Sequence, residues 1–199
     1  MKLYINLTSP FARIVRIALI EMGLDRQVTT QVVDPWTDEP GLMAANPAGR
    51  VPTLVTQDGV ALSETMLILQ YLAALAPQAP LLPAEGPECV LARAGLAIGT
   101  IEAAAAIIIG CKSAPDFDTQ LVGQRRYRTM RDGLARIDRN LPPDMTERLD
   151  LSAIATVVAL DYIVFRFPAI DWLGANPALA AWRLRQGERP SLVATKPGG

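Results

Sequence analysis

Hydrophobic and polar positions alternate over residues 2–6, which predicts a short β-strand at the start of the chain. The next apolar positions recur at helical spacing and predict one buried helix face, formed by Ile14, Ile17, Ala18 and Met22. Ser9-Pro10 places a capping side chain and a first-turn proline where this helix begins. Gly23 is typical of the position just beyond a helix end. The pattern therefore predicts a strand followed by an amphipathic helix.

The pattern continues to switch between strand and helix periods up to about residue 77. It predicts a strand over 27–33, a short helix over 41–45, strands over 53–56 and 60–62, and a helix from 64 to 76. Gln57-Asp58-Gly59 separates the last two strands, and Asp-Gly between short apolar runs is a hairpin signal. The resulting β-α-β-α-β-β-α order predicts a thioredoxin-like α/β domain.

Prolines mark a change of organisation after the first domain. Residues 78–87 are rich in proline and small residues, which is typical of a stiff surface linker. Helical patterns follow over 88–112, 119–140, 152–165 and 177–186. We therefore expect a thioredoxin-like domain at 1–77, a linker at 78–87 and an all-α helical bundle at 88–199.

Composition excludes several classes of partner. The 199 residues are 50% hydrophobic and 20% charged, with a net charge of −1 and no basic stripe suited to nucleic acid or an anionic membrane. Residues 94–111 and 151–165 are strongly apolar but contain Glu102 and Asp161, so buried bundle helices are favoured over membrane spans. We expect no nucleic-acid or membrane partner.

The two cysteines and the absence of histidine restrict the chemistry further. Cys89 and Cys111 have no metal-like or redox spacing, and without a signal peptide they predict reduced thiols in a cytoplasmic protein. With no histidine, Ser-His and Cys-His pairs and imidazole metal ligands are all excluded. We expect no metal site, and chemistry that depends on hydroxyls, carboxylates, thiols, backbone dipoles or a bound cofactor.

Ser9 has two interpretations. It caps a helix, which needs no further function. The same position places a hydroxyl beside free backbone N–H groups and the positive end of the helix dipole, where an anion is favoured. If that anion is a thiolate supplied by a cofactor, the hydroxyl and the dipole both favour the nucleophilic form.

Two further motifs also have a structural and a functional interpretation. Pro52 either begins an edge strand or follows a cis bond that turns the backbone of Val51 toward an extended peptide. Glu64 and Thr65 either complement the helix dipole or form a receptor for an amino-acid head group. In the second case the carboxylate takes the ammonium and the helix start takes the carboxylate.

The combination and order of these motifs resemble the glutathione S-transferase superfamily. The matching segments are TSPFARIVR at Thr8–Arg16, NPAGRVPTLV at Asn46–Val55, LSETMLILQYL at Leu62–Leu72 and NPALAAWRLRQGERPS at Asn176–Ser191. Each motif is modest alone, but four in this order and spacing are specific. The resemblance covers nearly the whole chain and is weakest between residues 87 and 143.

The resemblance implies a role for each motif. Ser9 takes the place of the sulfur-activating residue, Val51 pairs its backbone with the cysteinyl part of glutathione beside a cis Pro52, and Glu64 and Thr65 hold the γ-glutamyl end. A further implied contact, from Arg50, goes to the glycyl carboxylate. The second-substrate candidates are Trp36, Ile107, Ile108 and Cys111, for which core packing is the alternative.

The resemblance has two departures and leaves one alternative. Thr65 stands where serine is usual, which keeps the hydroxyl. Ser152 is followed three residues later by Ala155 instead of an acidic residue, which predicts a half-missing capping box costing about 1 kcal/mol. Thr8 is the second candidate for the active hydroxyl.

The implied function is glutathione transfer to a small hydrophobic electrophile in detoxification, by a homodimer. Glutathione is then the co-substrate, and no metal is needed. Two alternatives stay open: a non-catalytic binding or regulatory member of the family, and a glutathione-dependent reductase or dehalogenase. Serine at position 9 argues against a thiol reductase, because disulfide chemistry favours cysteine there.

Overall fold

A computed structural model describes residues 1–83 and 86–198 of the chain. The chain forms two compact units. The first comprises Met1–Leu81 together with the described residues from Glu188 onward, and the second comprises Leu82–Gly187. The sequence places residues 188–198 in the helical domain, whereas the structure groups them with the first unit. Residues 84 and 85 of the predicted linker and residue 199 lie outside the described part.

The first unit is a mixed four-stranded sheet with helices. Its elements are β1 (Lys2–Ile5), α1 (Pro10–Glu21), a 3-10 helix (Asp25–Gln27), β2 (Thr29–Val32), α2 (Pro40–Ala45), β3 (Thr53–Val55), β4 (Ala61–Ser63) and α3 (Thr65–Leu75). The strand order is β2-β1-β3-β4. β1 pairs in parallel with β2 and antiparallel with β3, and β3 pairs antiparallel with β4. This arrangement confirms the predicted thioredoxin-like α/β fold.

The predicted limits of α1 are confirmed at both ends. Ser9 is the N-cap, Pro10 occupies the first turn, and the helix ends at Glu21 with Met22 as its C-cap. Gly23 follows with a φ of +70°, a left-handed conformation that glycine adopts at little cost. The apolar face of α1 is fully buried in the core of this unit. Local sequence therefore places Ser9 at a fixed end of a rigid helix.

The second unit is all-helical, as the sequence predicts. Its helices are α4 (Pro87–Ser113), α5 (Leu121–Asp138), α6 (Leu151–Arg166), α7 (Trp172–Ala175) and α8 (Pro177–Gln186). α4 packs against both α5 and α6. α4 and α5 approach closely at Gly133, where an added Cβ would clash with the Thr100 hydroxyl. The short helix α7 is not predicted by the sequence pattern.

α4 is long and apolar enough, by length and composition alone, to cross a membrane, and it is the one such helix among the described residues. The apolar window of α4 is 44% buried inside the protein. Ala97, Ile101 and Ala104 on this helix are completely buried. These contacts are those of a core helix in a bundle, which is the interpretation that the sequence favours.

The start of α6 corrects the expectation about its cap. Asp150, not Ser152, is the N-cap: its carboxylate oxygen Oδ1 accepts from the Ala153 N–H at 2.8 Å. Ser152 lies inside the first turn and donates its hydroxyl to the same oxygen at 2.8 Å. The cap is therefore complete, and the predicted loss of about 1 kcal/mol does not arise. The Asp150 carboxylate, two residues before Ser152, takes the place of the expected capping box.

The linker is less exposed than expected. Ala79 and Leu81 are 3% and 4% exposed, whereas Gln78, Pro80 and Pro83 are exposed, so the chain runs along the surface and buries two apolar side chains between its prolines. Beyond Gly187, residues Pro190–Val193 form a further short helix, α9, that packs against α1. These contacts explain why the C-terminal residues belong with the first unit.

Candidate functional site

Asn6 organises the turn between β1 and α1 and separates the two candidate hydroxyls. Its side-chain oxygen accepts from the Thr8 N–H at 3.0 Å and from the Thr8 hydroxyl at 2.8 Å. The Asn6 amide nitrogen donates to the carbonyl of Val33 at 3.3 Å. The backbone N–H of Ser9 donates to the Asn6 carbonyl at 3.1 Å. Thr8 is thus committed to this turn.

Ser9 differs from Thr8 because its hydroxyl donates no hydrogen bond within the described residues. The Ser9 oxygen accepts from the Ala12 N–H at 3.2 Å, and among the described residues the hydroxyl donates to no acceptor. The Phe11 N–H beside it also has no acceptor in the part of the chain described. A donor hydroxyl and a free N–H at the positive end of a helix suit an anion.

The Val51–Pro52 peptide bond is cis, in agreement with what the resemblance implies. Val51 lies just before β3, and neither its N–H nor its carbonyl forms a hydrogen bond within the described residues. Pro52 is buried. A backbone N–H and carbonyl left unpaired by the described residues are the arrangement that an extended peptide uses to add a strand.

Two buried polar side chains hold the segment before the cis bond. The Asn46 amide nitrogen donates to the Arg50 carbonyl at 3.2 Å and to the Thr53 hydroxyl at 3.1 Å. Thr53 in turn donates to the same Arg50 carbonyl at 2.7 Å. Asn46 is 8% exposed and Thr53 is fully buried. The network fixes the loop that presents Val51.

The beginning of α3 presents free backbone donors beside an exposed carboxylate. Glu64 is the N-cap and has φ +67° and ψ 122°, a conformation that is rare for residues other than glycine. Its carboxylate does not cap the helix and is exposed. The first helical bond is from Ile68 N–H to the Glu64 carbonyl, at 3.0 Å. The preceding N–H groups are therefore available to a ligand.

Thr65 links the two helix starts. Its hydroxyl donates to the Phe11 carbonyl in α1 at 3.4 Å, and the residue is 8% exposed. The hydroxyl that the family resemblance implies at position 65 thus binds the Phe11 carbonyl and joins α3 to α1. This contact brings the N-terminal end of α3 to the N-terminal end of α1, where Ser9 lies.

Arg50 faces Glu64 across this site. Its guanidinium lies 3.9 Å from the Glu64 carboxylate, and the two side chains are 76% and 64% exposed. An ion pair this exposed and this long contributes little to stability, because water and salt screen it. Either side chain can therefore leave this ion pair at little cost and bind a charged group of a ligand.

Comparison with known proteins identifies the family. A model of the glutathione S-transferase N-terminal domain matches residues 8–75, the segment that contains every motif of this site. A glutathione S-transferase from Methylobacterium radiotolerans, crystallised with glutathione sulfonate, is 30% identical. The match covers 100% of this chain and 95% of that one, with a TM-score of 0.89. The chain belongs to the glutathione S-transferase superfamily.

Two further members of the superfamily match the whole chain. A glutathione S-transferase from Methylobacillus flagellatus with glutathione bound is 28% identical, with 99% of each chain covered and a TM-score of 0.87. An uncharacterised glutathione S-transferase-like protein of Escherichia coli, YibF, is 28% identical over 99% of this chain and 98% of its own length. Both the α/β unit and the helical unit are thus shared with transferase relatives.

The four residues expected at the second-substrate site of a transferase differ in exposure. Ile107 is 2% exposed, which fits the core-packing alternative and leaves little surface for a ligand. Ile108 and Cys111 on the same helix are half-buried, and Trp36 is 56% exposed on the loop before α2. Ile108, Cys111 and Trp36 therefore keep surface for a ligand.

The surroundings of Cys111 include an ionisable phenol. Burial raises the pKa of Tyr127 on α5, and the nearby charges of Asp118 and Cys111 raise it further. The Tyr127 ring makes an edge-on contact with Phe167, with centroids 5.6 Å apart. Among the described residues, no group of three or more Cys, Asp or Glu side chains is arranged to hold a metal ion.

The sequence did not predict the residues that support the loops of this site. Asn6, Asn46 and Thr53 contact the backbone of the motif residues and hold the loops that carry them. Asn-Pro at positions 46 and 47 is a turn signal. It indicates a turn but not which carbonyl the Asn46 side chain binds.

Proposed function

We propose that this protein is a glutathione transferase that activates the glutathione sulfur at Ser9. The observation that carries the proposal is the difference between the two neighbouring hydroxyls. Thr8 donates to Asn6, whereas Ser9 keeps its hydrogen available at the N-terminal end of α1. A thiolate placed there accepts the Ser9 hydrogen bond and lies at the positive end of the helix dipole.

The reaction needs no histidine. Binding at Ser9 lowers the pKa of the glutathione thiol, and its proton leaves to solvent. The sulfur lone pair then attacks the electrophilic carbon, a C–S bond forms, and the leaving group departs with its bonding electrons. Ser9 donates a hydrogen bond throughout and forms no covalent bond itself. The protein contributes thiolate stabilisation and orientation of the tripeptide.

The same site supports a position for each part of glutathione. The N–H and carbonyl of Val51, which form no hydrogen bond within the described residues, pair with the cysteinyl backbone in the manner of an added strand. Glu64 receives the γ-glutamyl ammonium, and the free N–H groups from Thr65 onward receive its carboxylate. The glycyl carboxylate is assigned to Arg50. Relatives that were crystallised with glutathione or glutathione sulfonate support this choice of ligand.

The electrophile is proposed to be small and apolar. Ile108 and Cys111 supply a half-exposed, weakly polar surface on α4. A surface of this kind binds by apolar contact and discriminates weakly between related molecules. Such breadth is what a role in detoxification requires.

The assembly is proposed to be a homodimer in the cytoplasm. Leu67 and Leu75 expose 57% and 43% of their surface on one side of α3, an apolar strip that a second copy would cover. Cys89 is an exposed free thiol and Cys111 is a free thiol as well. Free, exposed thiols suit a reducing compartment.

The proposal is tested by calorimetry and turnover on three variants. We expect wild-type protein to bind glutathione saturably and Glu64→Ala to lose most of the affinity. Ser9→Ala should keep glutathione binding but lose most conjugation of a chlorodinitrobenzene, while Thr8→Val keeps both. Wild-type turnover in Ser9→Ala would refute the role of Ser9.

The same experiments separate the alternative functions. Glutathione binding without conjugation across a panel of electrophiles would identify a non-catalytic member of the family. Reduction of a disulfide, or release of halide without a stable conjugate, would identify a reductase or dehalogenase. A folded protein with no affinity for glutathione would overturn the proposal as a whole.

A further inference from the structure

The hydroxyl of Thr65 has a different partner from the one that the family resemblance implies. The resemblance assigns Thr65, with Glu64, to the γ-glutamyl end of glutathione. In the structure the Thr65 hydroxyl donates to the Phe11 carbonyl in α1 at 3.4 Å. Thr65 is only 8% exposed, so little of its side chain is open to a ligand. Its hydroxyl therefore has two candidate tasks, to hold glutathione or to hold α1.

The Thr65 hydroxyl cannot perform both tasks at once. A threonine hydroxyl has a single hydrogen to donate, and a carboxylate offers only acceptors. While that hydrogen lies on the Phe11 carbonyl, the hydroxyl cannot donate to the γ-glutamyl carboxylate. The carboxylate has other donors, because the first helical bond of α3 comes from the Ile68 N–H and leaves the preceding N–H groups available. Binding of the γ-glutamyl end therefore does not require this hydroxyl.

The choice of threonine instead of the usual serine favours the contact with α1. A β-branched side chain is restricted at χ1, whereas a serine turns more freely between its staggered positions. A serine hydroxyl at position 65 is freer to turn from the Phe11 carbonyl to a ligand. The extra methyl group of threonine thus explains how the hydroxyl stays on one partner.

The carbonyl that Thr65 binds lies in the same helical turn as Ser9. Phe11 is two residues beyond Ser9, which corresponds to about 3 Å along the axis of α1. The Phe11 N–H, which has no acceptor in the part of the chain described, belongs to this turn as well. A shift of the turn relative to α3 would therefore move the Ser9 hydroxyl and this N–H together.

The hydrogen bond adds direction to a contact that is otherwise apolar in character. α1 and α3 pack against each other, and Ile68, Leu69 and Leu72 of α3 are buried. Apolar burial is non-directional and tolerates small shifts of one helix along another, whereas a hydrogen bond requires a particular geometry. The bond between Thr65 and Phe11 therefore fixes the first turn of α1 relative to the start of α3.

We propose that the Thr65 hydroxyl is a positioning group for the sulfur end of glutathione and not a contact of the γ-glutamyl end. It holds the first turn of α1 at the start of α3, so that a tripeptide bound by its γ-glutamyl end has its sulfur beside Ser9. This inference rests on the proposed function. Thr65 gives its backbone N–H to the ligand, while its side chain acts through Phe11 and touches no reacting atom.

The test measures glutathione affinity by calorimetry and the pKa of the bound thiol from the ultraviolet absorbance of the thiolate. Thr65→Val should bind glutathione as tightly as wild-type protein does. The pKa of its bound thiol should be higher by about half a unit, because the thiolate loses part of the stabilisation at the end of α1. At a pH below that pKa, kcat should fall about threefold, in proportion to the thiolate, with KM unchanged. Thr65→Ser, which keeps the hydroxyl, should restore most of both.

The matched control is Thr56→Val, which removes another buried threonine hydroxyl from the same unit. The Thr56 hydroxyl oxygen accepts from the Val60 N–H at 3.1 Å, in the turn after β3. This variant removes a hydrogen bond but leaves the contact between α1 and α3 in place. It should therefore leave the thiol pKa and kcat unchanged.

A second ligand separates positioning from ligand contact. S-methylglutathione keeps the γ-glutamyl end but has no ionisable thiol, so Thr65→Val should bind it with wild-type affinity. A loss of about tenfold or more, the size expected for a hydrogen bond to a charged group, would show that the hydroxyl contacts the ligand and would overturn the inference. An unchanged thiol pKa in Thr65→Val would also overturn it, and both results leave the proposed function intact.

Two further outcomes are also decisive. If wild-type protein fails to bind glutathione at all, the proposed function has failed, and this inference fails with it. Should Thr65→Val not fold, Thr65→Ala, which also lacks the hydroxyl, gives the same comparison with Thr65→Ser.

Discussion

The guanidinium of Arg50 lies 3.9 Å from the carboxylate of Glu64, so two side chains assigned to opposite ends of glutathione face each other. The pair is exposed and weak, and a bound tripeptide would replace it with two separate ion pairs. Arg50 must then leave Glu64 to reach the glycyl end. In the proposed site, glutathione would therefore replace one solvent-screened ion pair with two ion pairs that the ligand shields from water.

Arg50→Ala should weaken glutathione binding by a few-fold and Glu64→Ala by more than about tenfold, because Glu64 lies beside the fixed start of α3 while the Arg50 side chain is 76% exposed to water. Calorimetry at low and high salt measures both. The wild-type affinity should fall with salt, and Arg50→Ala should depend on salt less. A larger loss in Arg50→Ala than in Glu64→Ala would contradict this ordering.

The backbone conformation of Glu64 predicts a conflict between stability and binding. At φ +67° a side chain is strained, whereas glycine is not. Glu64→Gly should therefore be about 1 kcal/mol more stable than Glu64→Ala, although neither retains the carboxylate. Urea unfolding of the two variants gives the comparison, and both should bind glutathione equally poorly. Equal stability would show that Glu64 is not strained.

Asn46→Ala should destabilise the protein by about 1–3 kcal/mol, because it removes a buried donor shared by the Arg50 carbonyl and the Thr53 hydroxyl. The matched control is Asn140→Ala, which removes an exposed amide that accepts from Arg93. That variant should change the free energy of unfolding by less than about 0.5 kcal/mol. Asn46→Ala should also weaken glutathione binding, since the loop before Val51 loses its support.

Asp150→Ala should lower the free energy of unfolding by about 1–2 kcal/mol, because the helix cap is lost. Asp150→Asn should keep most of the wild-type stability, because asparagine also caps helices. Both are measured by urea unfolding. Ser152→Ala loses only a hydroxyl donor and should cost less than Asp150→Ala. The opposite order would restore Ser152 as the residue on which the helix start depends.

The sequence predicts most of this fold because its helix and strand ends carry local signals. Ser9-Pro10, Gly23 and the Asp58-Gly59 turn each restrict the backbone around them, and the structure places element boundaries beside all three. The family resemblance supplied the cis bond at Val51–Pro52, which the pattern of residues alone could not justify. The thioredoxin-like unit followed by a helical bundle is confirmed.

What the sequence did not predict depends on contacts between distant residues. Glu21 and Arg189 are 168 positions apart, and neither residue carries a local pattern that names the other. The same holds for Thr65 and Phe11, which are 54 positions apart. The cap at Asp150 was missed for a different reason: two polar residues stood close together, and only geometry shows which one the helix uses.

Residues 189–195, which contact Glu21 and Arg13 on α1, also determine when the first unit can be completed during synthesis. The N-terminal segment of the first unit, Met1–Leu81, leaves the ribosome first. Residues 189–195 must follow before Arg13 and Glu21 have all their contacts. Domains generally fold in the order in which they are made. Here the helical unit is translated while the first unit still lacks its C-terminal residues. The nascent chain therefore holds an incomplete first unit until residues 189–195 emerge, and the part that is made first is the part that is completed last.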